Sequence, residues 1–148
     1  MTAIDWPRLV RGLTKEATFG PPAELSAIRA AEDAVGASLP DDLRDLLLQT
    51  NGITGEWGLG LVWSAERIAA DNARFRCLPA FRELYMPFEP LLFFADAGNG
   101  DQFAFRVLDG VVYYPDVYVW DHESDSRVWC ANDLQTYLAR WISGDLKV

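Results

Sequence analysis

The residues best suited to chemistry lie together in the acidic run DHESD, at residues 121–125. On an extended chain residues 121, 123 and 125 share one face, where their carboxylates could gather around a hard cation. The run does not match a calcium-binding loop, because its sixth position is Ser126 instead of glycine and its twelfth is Asn132 instead of glutamate. We therefore expect an acidic strand-turn-strand segment without a metal.

Acid–base catalysis would depend on His122, the one histidine of the sequence, with Asp121 or Glu123 orienting its ring. Such a site also needs a nucleophile, and the sequence contains no G-x-S-x-G motif. Cys130 stands among apolar residues in a predicted strand, which is typical of a buried inert thiol. We predict no enzymatic activity and no catalytic residues, and a small hydrolase that uses His122 stays open as the weakest hypothesis.

The glycine-rich run NGITGEWGLG, at residues 51–60, is the second segment that could bind a ligand. It matches neither the dinucleotide-binding fingerprint nor the phosphate-binding loop, since no G-K-[ST] follows and no strand precedes it. We therefore predict no cofactor and a mobile loop. Trp57 in this loop is a candidate contact residue, because tryptophan contributes disproportionately to interface energies.

Acidic side chains dominate the segment from Asp96 to Asp125, where seven carboxylates are opposed by Arg106. Two interpretations stay open: turn chemistry with protection of strand edges, or a surface that meets a basic partner. Aromatic residues adjoin the acidic turn and could anchor such a partner. On the second interpretation the partner-binding candidates are Trp57, Asp101, Asp116, Tyr118, Trp120, Asp121, Glu123 and Asp125.

Composition limits the classes of partner. The chain has 13 basic and 22 acidic residues and a formal net charge of -9, so it should repel nucleic acid and anionic membranes and attract basic proteins. Its 148 residues suit a single domain, 1–148. Two cysteines and one histidine cannot supply a four-ligand zinc site. Without a long apolar run or a signal-peptide pattern, we expect a cytoplasmic protein of undetermined oligomeric state with reduced thiols.

Helical periodicity dominates the first 90 residues. Proline, aspartate and glycine positions predict helices over residues 5–16, 21–36 and 39–50. Another helix begins after Ser64, and one helical turn is expected around residues 81–85. The third helix is predicted to contribute four leucines to the core: Leu43, Leu46, Leu47 and Leu48.

After Pro90 the apolar period changes from about 3.6 to 2. The predicted strands cover residues 91–95, 102–108, 111–114, 117–122 and 127–131. The dipeptide DG at 109–110 is the predicted hairpin turn between the second and third of them. A last helix follows the ND dipeptide at 132–133 and ends at the glycine at 144. This order predicts an α+β fold, a mainly antiparallel β-sheet with helices packed against it.

Several of these strings together resemble the SUKH superfamily, the Smi/Knr cell-wall-regulator group. The first is PPAELSAIRAAEDAVGASLPDDLRDLLLQTNG at residues 21–52. Trp63 with Ile68 is similar to the family's central strand-helix step. AGNGDQFAF at 97–105 and VWDHE at 119–123 are similar to its glycine-rich turn and following strand. The final helix also fits.

The resemblance implies a SUKH-like α+β fold without a catalytic apparatus. Bacterial members are mainly immunity proteins that bind and neutralise toxin domains, often nucleases, of polymorphic toxin systems. The first hypothesis is therefore a cytoplasmic immunity protein with a basic toxin domain as partner, and the second is a regulatory or scaffold module for an endogenous protein. The matched residues determine the fold, so they transfer no partner-binding residues.

Overall fold

A computed structural model of the chain describes residues 3–148. Within this range the chain forms six α-helices and seven β-strands, which confirms the predicted α+β class. The helices are α1 (Trp6–Leu13), α2 (Leu25–Val35), α3 (Asp41–Gln49), α4 (Ala65–Cys77), α5 (Pro79–Leu84) and α6 (Leu134–Ser143). The strands are β1 (Thr18–Phe19), β2 (Ile53–Thr54), β3 (Gly60–Val62), β4 (Leu91–Asp96), β5 (Gln102–Arg106), β6 (Val117–Trp120) and β7 (Arg127–Ala131).

The strands form two antiparallel sheets, ordered β1-β2-β3 and β4-β5-β6-β7. The two sheets meet where β3 runs beside β4, and the backbone N–H of Trp63 donates a hydrogen bond to the carbonyl of Phe94 at 2.7 Å. The larger sheet is a meander, in which each strand pairs with the next along the chain. Because neighbouring strands run in opposite directions, the β4–β5 and β6–β7 turns lie at the same end of the sheet.

Helices cover both faces of the four-stranded sheet. Phe93 and Phe94 are consecutive in β4, and their side chains point to opposite faces. On one face Phe94 packs against Tyr137 of α6, with 5.4 Å between ring centroids. On the other face Phe93 packs against Phe75 of α4 at 5.3 Å. Both faces of β4 are thus core, which explains its unbroken apolar sequence.

A buried polar side chain fixes α4 to β4. Asn72 is fully buried, accepts a hydrogen bond from the N–H of Phe93 and donates one to the carbonyl of Phe93, each at 2.9 Å. The register of β4 shifts between Phe93 and Ala95, where a strand partner cannot satisfy every backbone group. Asn72 therefore satisfies the backbone at the point where the ladder is irregular.

Helix ends follow local sequence chemistry, as predicted. The side chains of Asp5, Ser64 and Asp133 each accept a hydrogen bond from the backbone N–H three residues later and cap α1, α4 and α6. Gly36 and Gly144 end α2 and α6 in the left-handed conformation, at φ 70° and 86°. These ends depend on neighbouring residues alone.

Three details of the helices differ from prediction. α1 ends at Leu13 instead of about Glu16, and α2 begins at Leu25, after the two prolines at 21 and 22, which lie in the chain that precedes the helix. Leu48 was assigned to the core but is 38% exposed. Residues 43, 46 and 47 share one helical face at spacings of three and four, whereas residue 48 points away from it.

The glycine-rich run is folded into a hairpin. β2 pairs with β3, and the hairpin encloses a short 3-10 turn over Glu56–Gly58. The N–H of Gly55 donates to the carbonyl of Leu59 at 2.7 Å and closes the base of this turn. Strands of two or three residues carry no periodicity, so the sequence did not indicate the pairing of β2 with β3.

The predicted strand at 111–114 is wrong. The DG turn gives an isolated bridge between Leu108 and Val111, after which the chain leaves the sheet until β6 begins at Val117. Val117 then lies opposite Phe105, so β6 occupies the edge of β5 that the predicted strand would have needed. Tyr113 and Tyr114 are exposed on the irregular segment that results.

Candidate functional site

The β6–β7 turn is held by one of its own carboxylates. Asp121 Oδ1 accepts hydrogen bonds from the backbone N–H groups of Glu123 and Ser124, at 2.8 and 3.2 Å. These bonds lower the pKa of Asp121, because they stabilise its ionised form. Asp121 therefore stabilises the turn, which agrees with the first interpretation of the acidic run. Glu123 is exposed on the same turn.

Asp101 joins the β4–β5 turn to the β6–β7 turn. Its Oδ1 accepts from His122 Nδ1 at 2.6 Å and from the backbone N–H of His122 at 3.1 Å. The bond to Asp101 raises the pKa of His122, because it favours the protonated ring. A Cβ on Gly100 would lie 2.8 Å from that ring, so the imidazole packs directly on the glycine backbone. Asp101 is buried, and its carboxylate hydrogen-bonds to His122.

Trp120 was predicted to be a contact anchor, and the structure corrects this. Its ring is 3% exposed and lies in an aromatic cluster on the α4 face of the sheet. Trp120 Nε1 donates to Asp125 Oδ1 at 2.8 Å, and Asp125 Oδ2 accepts from the N–H of Met86 at the same distance. Burial alone would raise the pKa of Asp125. These hydrogen bonds and the charge of Arg127 lower it by more, so the pKa of Asp125 lies below its usual value. A period-2 pattern places Trp120 on a sheet face but cannot say what covers that face.

Asp116 and Tyr118 lie toward the other end of β6. Asp116 Oδ2 accepts from Trp129 Nε1 at 3.1 Å, and Tyr118 lies directly opposite Trp129 in the ladder. Both predicted residues are half-buried. The eight candidates therefore do not form one surface. Trp120 is in the core, and Asp116 and Tyr118 lie toward the start of β6. The candidates at or near the β6–β7 turn are Asp101, Asp121, Glu123 and Asp125, and Trp57 lies on the glycine hairpin.

Arginine side chains from outside the acidic run neutralise part of it. Asp96 makes two bonds to Arg67 of α4, at 2.8 and 2.9 Å, and Asp125 contacts Arg127 at 3.2 Å. Within residues 96–125 of the sequence, Arg106 is the one lysine or arginine that opposes the carboxylates. Folding adds cations that are up to 29 residues away in sequence, so the uncompensated acidic surface is smaller than the sequence indicated.

A cleft of about 520 Å³ lies between the glycine hairpin and the β4–β5 turn, and it brings Trp57 to the same site as Asp101. Trp57 is 95% exposed and has a left-handed backbone, φ 62° and ψ 23°. The left-handed conformation costs a residue that has a Cβ atom of order 1–2 kcal/mol. Sequence analysis found Trp57 but missed Glu56 and Leu59, which line the cleft beside it. Their position between closely spaced glycines was the available signal.

The cleft adjoins the β6–β7 turn, because Gly100 lines the cleft and contacts His122. In this region ligand atoms of Asp101, Asp121 and His122 all lie within 4.8 Å of one another. Oδ1 of Asp101, Oδ1 of Asp121 and Nδ1 of His122 already take part in hydrogen bonds within the two turns. What the region offers as it stands is an exposed aromatic ring with carboxylates around it.

The family of this chain is identified by its match to a protein-family model. The family model for SMI1-KNR4 cell-wall proteins, SUKH_6, matches residues 25–138, well over half of the chain. The chain belongs to this family. Membership in the SUKH family supports a protein-interaction or immunity-type role, and the family is generally non-enzymatic. No curated protein matches the sequence. Within residues 3–148, this SUKH chain has no helix with the length and apolar character needed to cross a bilayer.

Millimolar Ca²⁺, Mg²⁺ or Mn²⁺ is expected to leave the melting temperature of this SUKH chain unchanged. The reason is that Oδ1 of Asp101 and Oδ1 of Asp121 already accept hydrogen bonds, so the two aspartates offer few oxygens against the roughly six to eight ligands that Ca²⁺ takes. Thermal unfolding with each chloride, against sodium chloride of equal ionic strength, measures this. A saturable rise that Asp121→Asn abolishes and Glu123→Gln retains would show a bound ion.

Proposed function

We propose that residues 1–148 act as a single, non-enzymatic, cytoplasmic protein-binding domain, an immunity protein that binds and neutralises a basic toxin domain. The observation that carries the proposal is Trp57, almost wholly exposed on a strained turn. Family membership supports the class of function. The contact surface consists of Trp57 and the exposed carboxylates Glu56 and Glu123, and we call it the Trp57 surface.

Exposing Trp57 is costly in two ways, and binding a partner would recover one of them. A tryptophan ring in water forgoes the hydrophobic gain of burial, and the left-handed backbone adds strain. Local strain is concentrated in proteins at functional positions. Large aromatic side chains that become buried at the centre of an interface contribute a large share of its binding energy. Trp57 has the exposure and residue type expected of such an anchor.

Charge gives the chemistry of the partner. Glu56 is exposed and lines the cleft, and Glu123 is exposed on the β6–β7 turn, which adjoins the cleft where His122 packs on Gly100. The chain as a whole carries a net charge of -9. Such a surface speeds the approach of a basic protein and repels nucleic acid. A toxin domain that acts on nucleic acid is itself expected to be basic, because it must bind phosphates.

The state of the possible nucleophiles supports a role without catalysis. Asp101 orients the ring of His122 through Nδ1, as a carboxylate orients a general base, but within residues 3–148 no hydroxyl or thiol hydrogen-bonds to the other ring nitrogen, Nε2. Burial raises the pKa of the Cys130 thiol to about 11, which keeps it protonated near neutral pH. Cys130 Sγ donates to the carbonyl of Val128. These are the contacts of structural side chains.

The test begins with co-purification of the full chain and the carboxyl-terminal domain of a toxin encoded beside it, followed by association and dissociation rates at low and high salt. Trp57→Ala should speed dissociation about 30-fold, equivalent to about 2 kcal/mol, with little salt dependence. The double variant Glu56→Gln, Glu123→Gln should slow association at low salt, and the effect should shrink as salt rises.

The matched control is Leu25→Ala, which removes an exposed apolar side chain from α2, and its rates should equal those of the parent chain. Unchanged rates for both test variants would contradict the Trp57 surface. Failure of the toxin domain to bind at all would contradict the immunity role. The alternative, a regulatory or scaffold module for an endogenous protein, would then be the hypothesis to pursue.

A further inference from the structure

One face of the four-stranded sheet is covered along part of its length. On this face Trp120 is covered by Phe75 of α4 and by Phe88. Tyr118, two residues earlier in β6, and Trp129, its cross-strand neighbour, point to the same face. Trp129 remains 49% exposed. The helical layer therefore ends before the sheet does, and a strip of aromatic side chains continues beyond it.

The irregular segment before β6 extends this strip. Tyr113 and Tyr114 are exposed, and together they line two neighbouring grooves. One groove, of about 290 Å³, also reaches Arg106 and Tyr118. The other, of about 390 Å³, reaches the first turn of α3. We call Tyr113, Tyr114, Tyr118 and Trp129 the aromatic surface. Neighbouring exposed rings of this number are unusual on a monomer and mark an interaction site.

Carboxylates border both grooves. Asp41 and Asp42, at the start of α3, line the larger groove, and Asp116 lines the smaller one. Burial and then repulsion from Asp133, Asp45 and Asp41 raise the pKa of Asp42. Arg44 contacts Asp41 but does not cancel that repulsion at Asp42. A cation placed in the larger groove would relieve it.

We propose that the aromatic surface is a second docking surface, and that its occupant is a basic segment of a protein chain with an arginine side chain that enters the larger groove beside Asp42. Carboxylates attract the guanidinium group, and its flat face stacks on the rings of Tyr113 and Tyr114. Two copies of this chain, each with a net charge of -9, repel each other on approach. Charge complementarity therefore favours a basic partner over a dimer.

This surface is separate from the Trp57 surface. The cleft beside Trp57 includes Gln102, the first residue of β5, whereas the smaller groove includes Arg106, the last. Four residue steps of a strand span roughly 13 Å. The two sites thus lie at opposite ends of β5, and the inference does not depend on the proposed immunity function.

The experiment titrates the full, isotope-labelled chain with a short peptide of alternating arginine and glycine, and follows backbone amide and indole resonances. We expect saturable shifts at the aromatic surface, including the Trp129 indole, with half-saturation near 1 mM or below. Tyr114→Ala and Asp42→Asn should each weaken binding about two- to fivefold. Trp57→Ala, the matched control on the other surface, should leave the affinity unchanged.

Three outcomes would overturn the proposal. They are shifts centred on Trp57, equal binding of a glutamate-glycine peptide, and no saturable shift up to about 10 mM. Tyr114 is exposed, so its truncation should leave the amide spectrum folded. Asp42→Asn keeps the shape of the side chain and supplies a second variant that does not depend on packing. Because the peptide replaces the toxin domain, failure here would leave the immunity test intact.

Discussion

Trp120→Ala is expected to lower the free energy of unfolding by about 3–5 kcal/mol. The ring of Trp120 contacts Phe75, Tyr85, Phe88 and Phe93, at centroid separations from 5.1 to 6.0 Å. Its removal leaves a cavity between the sheet and α4, and the surrounding rings can close it only in part. The substitution also removes the hydrogen bond to Asp125. Chemical denaturation followed by circular dichroism measures the change.

Trp129→Ala is the matched control, since it removes the same side chain from the neighbouring strand where the ring is half exposed. Its loss should stay below about 1 kcal/mol. Trp120→Phe keeps an aromatic ring without the N–H donor and should fall between the two. Equal losses for the two alanine variants would show that Trp120 is not buried in the folded chain.

Leu47→Ala should cost about 2–5 kcal/mol of unfolding free energy. Leu47 is fully buried in α3, which packs against α1 and α2. Truncation removes apolar area from the core and leaves a cavity beneath three helices. Thermal and chemical unfolding of the variant against the parent chain measure the effect.

The adjacent residue supplies the control for this prediction. Leu48 follows Leu47 in the same helix, but it is 38% exposed. Leu48→Ala should therefore cost less than about 1 kcal/mol, because alanine also has the higher helix propensity. A loss below about 0.5 kcal/mol at Leu47, or a larger loss at Leu48, would place α3 in a different rotational register.

Local interactions explain the parts of the fold that could be predicted. Caps at Asp5, Ser64 and Asp133 satisfy N–H groups three residues away, so their sequence signal is complete within one turn. The strand at 111–114 is predicted by its apolar pattern. The prediction is wrong because the edge of β5 with which this strand would pair is already occupied. Only the position of Val117 opposite Phe105 shows that β6 holds that edge.

The candidate site divides in the same way. Asp121 in a tight turn and Trp57 in a glycine-rich segment were identifiable from their neighbours. The environment of Trp120 was not, because the residues that bury it come from α4 and from the chain between α5 and β4. Of the aromatic surface, the sequence indicated Tyr118 but not Tyr114 or Trp129, because these residues are brought together by the fold and share no motif along the chain.

The sequence by itself determined the net charge, the helix caps, the change from helical to strand periodicity, and the strings that identify a SUKH protein. Tertiary structure alone decided which carboxylates are neutralised and which aromatic rings stay exposed. Arg67 reaches Asp96 across 29 residues, Met86 reaches Asp125 across 39, and His122 reaches Asp101 across 21. Charge and burial at a binding surface depend on such distant contacts, because Coulomb forces and packing act through space and not along the chain.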